Sequence, residues 1–343
     1  MDTHAHDRAW QIDERALDAH ASASDKLRFA LRYAVLAPSS HNTQPWRFIV
    51  DDEAVTLNAD RLRALPVADP YDRELIMSCG AALFNLRVAL SHFGLAYAIT
   101  LFPSPADPDM LAQVRLVPGG HVDASLAPLF EAIVKRVTTR QPFLDAPVAA
   151  DVRERLAQAV QAEGAEVACI HEADERARLA EWIAEADRRQ FDDPRFRREL
   201  AGWIHSSRRD DGMPAYAEGV SALLDFATPV VTLAIRTFDI GQGVAAAHQA
   251  LASGSPLLVC IATSTDDASA WLVAGQALER LLLTGVSEGL TASYLNQPIE
   301  VEALRERLRA TVKVDGEPQL LIRMGRGPQV SHAPRRPLAD VVF

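Results

Sequence analysis

Apolar residues recur at helical spacing in "SDKLRFALRYAVLA". Leu27, Leu31, Ala34 and Val35 fall on one face there, with Ser24 or Asp25 as the candidate cap. "WRFIV" and "AVTLNA" flank an acidic turn and predict a hairpin. "DRELIMSCGAALFNLRVALSHFGL" carries the clearest helical period, through Leu75, Ile76, Cys79, Leu83, Leu86, Leu90 and Phe93. Strands are predicted at "AYAITLF" and "QVRLV", and "PGGHVDAS" reads as a linker. A second series opens at "LAPLFEAIVKRV", with helices over 151–163 and 173–190. The stretch 191–250 is Arg-rich and shows no clear period. Beyond it come a buried strand "PLLVCIAT", helices "AWLVAGQALERLLLTGVSEGL" and "VEALRERLRATV", and a strand "PQLLIRMG". The first 24 residues are polar and are expected to dock loosely.

The two strong helices share more than their period. Setting Cys79–Leu95 above Ala274–Leu290 pairs Gly80 with Gly275, Ala82 with Ala277, Leu83 with Leu278 and Leu86 with Leu281. Gly94 then meets Gly289, Leu95 meets Leu290, and the same offset carries Pro103 onto Pro298. Leucines coincide easily between amphipathic helices, whereas glycines at both ends do not. The match predicts an internal duplication, with one core helix in each half and the halves packed as an intramolecular dimer. The expected division is a polar segment 1–24, a first half 25–122 and a second half 123–343.

Length and composition bound the reading. The 343 residues, 48% of them hydrophobic, suit two domains with a large core. A formal net charge of −11 argues against a nucleic-acid partner or an anionic membrane. Cys79, Cys169 and Cys260 are scattered, which gives no zinc pattern and suggests a reducing compartment. No basic-then-apolar leader opens the sequence, and no apolar run reaches the roughly 18 residues of a membrane span. These features together predict a cytoplasmic protein without a metal.

Three stretches carry candidate chemistry. "LAPSSHNTQPWRFIV" crowds small, polar and proline residues between a helix and a strand. In "FEAIVKRVTTRQPF", Arg136, Thr138 and Arg140 stand within five residues, and two guanidinium forks with a hydroxyl suit a phosphate. A solvated helix end with Lys135 is the bland alternative. "SHAPRRPLADVVF" adds Arg335 and Arg336, either as a disordered basic tail or as a second pair folded back onto the first. "GQGVAA", Gly241–Ala246, matches the dinucleotide fingerprint, but Arg236 and Asp239 interrupt the required passage from strand to loop. The histidines lack metal spacing, GxSxG is absent, and no Cys has a His beside it, so no acid–base or nucleophilic catalytic residue is predicted.

With these motifs in place, the chain resembles the FMN-dependent nitroreductases. "APSSHNTQPWRFIV" is similar to their flavin-contacting turn, "KRVTTRQPF" to their phosphate motif, and "GQALERLLLTGVSEGL" to their central helix. The full order resembles the tandem, Acg-type branch, through "ADRLRALPVADPYDRELIMSCGAAL", "SPLLVCIATSTDDASAWLVAGQAL" and "APRRPL". The resemblance runs from about Leu27 onward. It implies an α+β nitroreductase fold with two fused halves and a lid-like insertion at about 191–250. It further implies that Pro38, Ser39, Ser40 and Asn42 contact the isoalloxazine and ribityl groups, with Gln44 and Trp46 bracing the turn. Arg136, Thr138, Arg140, Arg335 and Arg336 would hold the phosphate. Thr291–Gln297, with Ser293 and Leu295, would pass the flavin edge near N5.

The implied activity is transfer of electrons from NAD(P)H through one FMN per chain to a small conjugated acceptor, a nitroaromatic or a quinone. Hydride transfer at flavin N5 needs no catalytic side chain. A closed lid would instead make the chain a flavin-holding protein with little turnover. A dehydrogenase using "GQGVAA" is the remaining rival. Since each motif occurs once, a monomer with an internal pseudo-dimer is expected.

Overall fold

Ser22, rather than Ser24 or Asp25, starts the first long helix. In the computed structural model, which describes residues 9–205, 209–214 and 228–343, helix α1 spans Ala23–Ala34. The Ser22 hydroxyl caps the helix, accepting the Asp25 N–H at 3.1 Å, and it donates to the Asp25 carboxylate at 2.6 Å.

The hairpin follows as strands β1, Trp46–Val50, and β2, Ala54–Ala59. Helix α2, Arg73–His92, leads to β3, Tyr97–Leu101, and β4, Met110–Leu116. These strands form one antiparallel sheet in the order β1-β2-β4-β3. The second series repeats the plan. Helix α3, Ala150–Gln161, precedes β5, Glu166–Ile170, and β6, Leu257–Thr263. Helix α8, Ala268–Ser287, then leads to β7, Thr291–Tyr294, and β8, Glu317–Gly325. Their antiparallel order is β5-β6-β8-β7, so both sheets place their first, second, fourth and third strands side by side. Helix α9, Glu302–Val312, fills the connection before β8.

The two central helices cross in contact. A Cβ built on Gly80 would lie 2.4 Å from the Leu272 carbonyl oxygen, and one built on Gly275 would lie 2.0 Å from the Met77 carbonyl oxygen. In both cases the Cβ would strike backbone that cannot rotate away, so only glycine fits at either position. The offset that pairs Gly80 with Gly275 also pairs Met77 with Leu272, which makes the crossing self-complementary, as in a two-fold interface. The helix ends match as well. Gly94 and Gly289 take φ of 68° and 72°, and Leu95 and Leu290 return N–H bonds to Leu90 and Gly285 at 2.9 and 2.8 Å.

Between β5 and β6 lies the insertion. It contains α4, Ala173–Asp192, α5, Pro194–Trp203, α6, Thr228–Thr237, and α7, Gly241–Ser253. Residues 206–208 and 215–227 of the expected lid fall outside the described residues. The apolar run before "GQGVAA" is helical, and the glycines open α7 itself. The strand that a dinucleotide fingerprint requires is therefore replaced by a helix. Phe191, Phe196, Ile204, Met213 and Ile235 of this insertion share a small core with Leu65 and Ala68 of the first half.

Three other expectations are revised. "LAPLFEAIVKRV", with its apolar helical pattern, forms only a 3-10 turn, Ala127–Leu129, and one α-turn, Phe130–Ile133. The chain then straightens, because the Thr139 N–H is taken by the Ala292 carbonyl at 3.0 Å. Of the N-terminal segment, residues 1–8 lie outside the described residues, and the rest is docked: Trp10 is buried in the first core with Ile12 and Leu17 packed beside it. The basic tail is ordered, and it returns to the first sheet. Phe48 donates to the Val341 carbonyl at 2.7 Å, and Phe343 donates to the Phe48 carbonyl at 2.8 Å. By length and composition one helix among the described residues could cross a membrane. It is α2, which forms the buried centre of the first core.

Candidate functional site

The turn that follows α1 is unusual in its backbone. His41, Asn42 and Gln44 have φ of 51°, 54° and 52°, a conformation that side chains disfavour and that tends to persist where surroundings fix it. Here the surroundings are explicit. The Ser39 hydroxyl accepts the Gln44 N–H at 2.9 Å, and the Ser40 hydroxyl donates to the Glu74 carboxylate on α2. Asn42 Nδ2 donates to the carbonyls of Gly212 and Pro334 at 3.0 and 3.1 Å. Gln44 Nε2 donates to the Asp210 carbonyl at 2.8 Å, while its Oε1 accepts the Arg336 N–H at 2.8 Å. Pro38 and Trp46 are buried beneath the turn.

Two of the predicted arginines meet at the start of this turn. Arg136 Nη2 and Arg335 Nη2 both donate to the Leu36 carbonyl, at 3.0 and 2.9 Å. Arg335 also donates to Ala37 O at 3.0 Å and to Asn42 Oδ1, Pro334 O and Ala333 O at 2.9–3.2 Å. Trp10 backs it. The indole ring lies 4.8 Å from the Arg335 guanidinium, stacks on His332 at 4.1 Å and donates to Ala333 O at 3.1 Å. Burial, with Arg136 alongside, pulls the Arg335 guanidinium down to about 9.

Facing the pair stands Glu279 of α8. It is fully buried, with Oε1 3.6 Å from Arg136 Nε. Burial pushes its carboxyl up to about 7, against the pull of Arg136 and then Arg335. Tyr294 of β7 closes the same space, and burial raises its phenol above the ordinary range. Several buried atoms here lack hydrogen-bond partners: Arg136 Nε, Arg335 Nε, Tyr294 Oη and both Glu279 oxygens. Buried polar groups are normally satisfied, so this cluster fits a further polar group, and its donors suit an oxyanion.

The other predicted residues are spread around that centre. Thr138 is half-buried and forms an isolated backbone bridge with Ala292. Arg140 is exposed, with Nη2 3.4 Å from Met213 Sδ in the insertion. Arg336 turns away from Arg335, toward the carbonyls of Gln44 and Asp340 and the Asp60 carboxylate. The Ser293 hydroxyl accepts a bond from Arg323 Nε at 2.6 Å. Leu295 points into the core formed with Leu258, Cys260 and Leu321, and its N–H is taken by Leu321 O.

Arg323, Glu279, Glu74 and Trp10 escaped the reading of motifs. Arg323 is fully buried on β8, lies 4.2 Å from the Phe143 ring and donates to Thr139 O and Gln141 O at 2.6 and 3.0 Å. Burial, then Arg140, lowers its guanidinium to about 10. It ties the segment after Arg136 to β7. Glu74 joins the turn to the segment after β7, accepting from Ser40 and from Asn296 Nδ2 at 3.0 Å. For Arg323 and Glu279 a signal existed: a charge inside an apolar strand, "LLIRMG", and inside an apolar helix, "GQALERLLL".

No family model matches the chain. The Mycobacterium tuberculosis protein Acg, named as an inferred NAD(P)H nitroreductase, is 30% identical over 329 residues, covering 93% of this chain and 95% of Acg. Rv3131 of the same organism, named in the same way, is 33% identical over 334 residues, covering 95% and 94%. Among solved structures, the FMN-dependent nitroreductase NfnB of Mycobacterium smegmatis, in complex with NADPH, overlaps 63% of this chain and 97% of its own. Its identity is 16% and its TM-score 0.41, too loose an overlap to carry ligand positions across.

Proposed function

This chain belongs to the Acg-type family of nitroreductases, and from that premise we propose that it is an FMN-dependent oxidoreductase. The NAD(P)H-derived electrons would pass to a small conjugated acceptor, a quinone or a nitroaromatic. The observation that carries the reading is the convergence of Arg136 and Arg335 on the Leu36 carbonyl, at the mouth of a turn held in left-handed backbone. The unsatisfied buried donors fit a phosphate.

Arg136 and Arg335 would hold that phosphate, with Thr138 and Arg140 at its outer side. Arg336 would act by fixing Gln44 and so the turn. Pro38, Ser39, Ser40 and Asn42 would line the ring and ribityl chain, and the backbone around Ser293 would face the ring from the other half. Bound FMN supplies the redox chemistry. The protein's part is placement and exclusion of water. Hydrogen bonds to charged groups contribute roughly 1.5–3 kcal/mol each, so two arginines and a buried ring suffice for tight retention.

The shared strand order and the self-complementary glycine crossing support duplication of a nitroreductase-like half. The turn comes from the first half and the arginines from the second, which supports one FMN per chain and a monomer. The scattered free cysteines suit a reducing cytoplasm. A second reading, flavin holding with little turnover, is favoured by one observation: Asp210 and Gly212 of the insertion bond directly to Gln44 and Asn42.

The test is direct. The purified protein should be yellow, and chromatography of the heat-released cofactor should identify FMN. Recovery of FAD, or failure to take up any flavin on reconstitution, would sink the proposal. Anaerobic mixing with NADH and NADPH then separates enzyme from holder, because bleaching within seconds requires access for the nicotinamide.

A further inference from the structure

We propose that Glu279 is the acidic member of the phosphate cradle, and that its carboxylate takes up one proton from solvent when a phosphomonoester enters beside Arg136 and Arg335. The inference rests on the FMN reading and adds a residue and a proton to it.

The geometry is what requires an account. Glu279 sits on the inward face of α8 with no exposed surface, yet neither carboxyl oxygen has a hydrogen bond. Its nearest charged group is Arg136, at 3.6 Å and too far for a hydrogen bond. An ionised carboxylate buried in this manner is expensive unless it is well paired. The groups that face it come from four elements. They are Arg136 beyond the Phe130–Ile133 turn, Arg335 on the tail, Tyr294 on β7, and Asn85 on α2. Asn85 makes no well-aligned hydrogen bond to the carboxylate, yet its amide still pulls the carboxyl down, the weakest of these influences, while its Nδ2 also donates to Tyr33 O at 3.3 Å. The Asn85 Oδ1 is itself buried without a partner. A protonated Glu279 would bring a hydroxyl donor into the space that a phosphate oxygen would enter.

Charge leads to the same assignment. Without phosphate, Glu279 partly neutralises two neighbouring guanidinium groups, and its carboxyl titrates near 7. A phosphomonoester is close to a dianion above pH 7, since its second pKa is about 6. Its arrival brings negative charge to the cradle and favours the neutral acid. The balance is simple: carboxylate plus one solvent proton gives the carboxylic acid, and nothing is oxidised or reduced. Below about pH 7 the acid is already neutral, so entry takes up little. Above it, each bound phosphate takes up close to one proton.

FMN affinity should therefore fall as pH rises, approaching tenfold per unit between about pH 7.5 and 8.5. Arg335, pulled down to about 9, sets the upper limit of that window. The experiment titrates the flavin-stripped full chain with FMN by fluorescence across the window, in the native protein and in Glu279→Gln. Riboflavin, which lacks the phosphate, is the control. The amide keeps the shape and cannot ionise, so its FMN profile should be flat, as should riboflavin in both proteins. Calorimetry of the native protein at pH 8, in buffers of different ionisation heat, should give close to one proton taken up per FMN. FMN binding with a flat native profile, a slope that survives Glu279→Gln, or zero proton uptake each overturns the assignment while leaving the flavin reading intact. No FMN binding at any pH sinks the flavin reading and this inference with it.

Discussion

Arg335 receives its position from residues far away in sequence. Trp10 supports one side of it, Asn42 and four backbone carbonyls accept from it, and like charge on Arg136 pushes against it. Arg136→Ala should weaken FMN binding by about 2 kcal/mol, roughly thirtyfold, in an equilibrium titration. Trp10→Ala should weaken it less, by about 1 kcal/mol, while Trp10→Phe keeps a ring under the guanidinium and should bind nearly as the native chain does. Equal losses in both Trp10 variants would show that the indole hydrogen bond, not the ring face, does the holding. Glu279 also makes stability depend on pH. Its carboxyl is raised from 4.5 in the unfolded chain to about 7 in the fold, so its favourable contribution is full below pH 4.5 and lost as pH rises to about 7. Thermal melts of native and Glu279→Gln protein should diverge across that range, with the variant gaining relative stability as pH rises. At this scale the motifs named Arg136, Asn42 and Arg335, because polar residues clustered in short stretches are visible. Trp10 was not visible: a single aromatic in a polar segment gives no period, and its partners lie more than 320 positions away.

Elements were legible where one face is apolar over several turns, as in α2 and α8. They were illegible where tertiary contacts decide. "LAPLFEAIVKRV" has a helical pattern, yet the backbone after Ile133 turns to pair with Ala292. "TPVVTLAIRT" is rich in β-branched residues, yet it forms α6 with Pro229 in its first turn, where a missing N–H is harmless. The glycine pairing predicted from the alignment acquires a physical reason at the helix crossing. Gly80→Ala and Gly275→Ala each drive a methyl into a carbonyl oxygen that no rotamer change can move. Each should cost about 1–3 kcal/mol, read as a lower urea midpoint with an unchanged slope. Alanine at Gly243, which has open space around it, is the matched control and should leave the midpoint nearly unmoved.

For the whole molecule the expected stoichiometry is one FMN per chain, because the turn and the arginines each occur once and meet once. Flavin absorbance against protein concentration, after saturation and desalting, should give a ratio near one, and sedimentation should give a mass near 37.4 kDa. A ratio near two would mean that a second site forms from other residues. The glycine pairing was legible because close backbone contact at the helix crossing admits no other residue. The insertion's packing was not, since its core is borrowed from Leu65 and Ala68 of the other half.

The tail that returns to β1 makes the two halves interlocked rather than merely adjacent. Residues 118–121, between them, are exposed. A protease cut there would divide the covalent chain but leave the helix crossing and the tail pairing in place. The two fragments should therefore travel as one particle on a native gel and separate only in detergent. Made as separate polypeptides, they would constitute a split reporter. One piece carries the turn, the other carries Arg136, Glu279 and Arg335, and recovery of flavin colour would signal that two fused bait proteins had met.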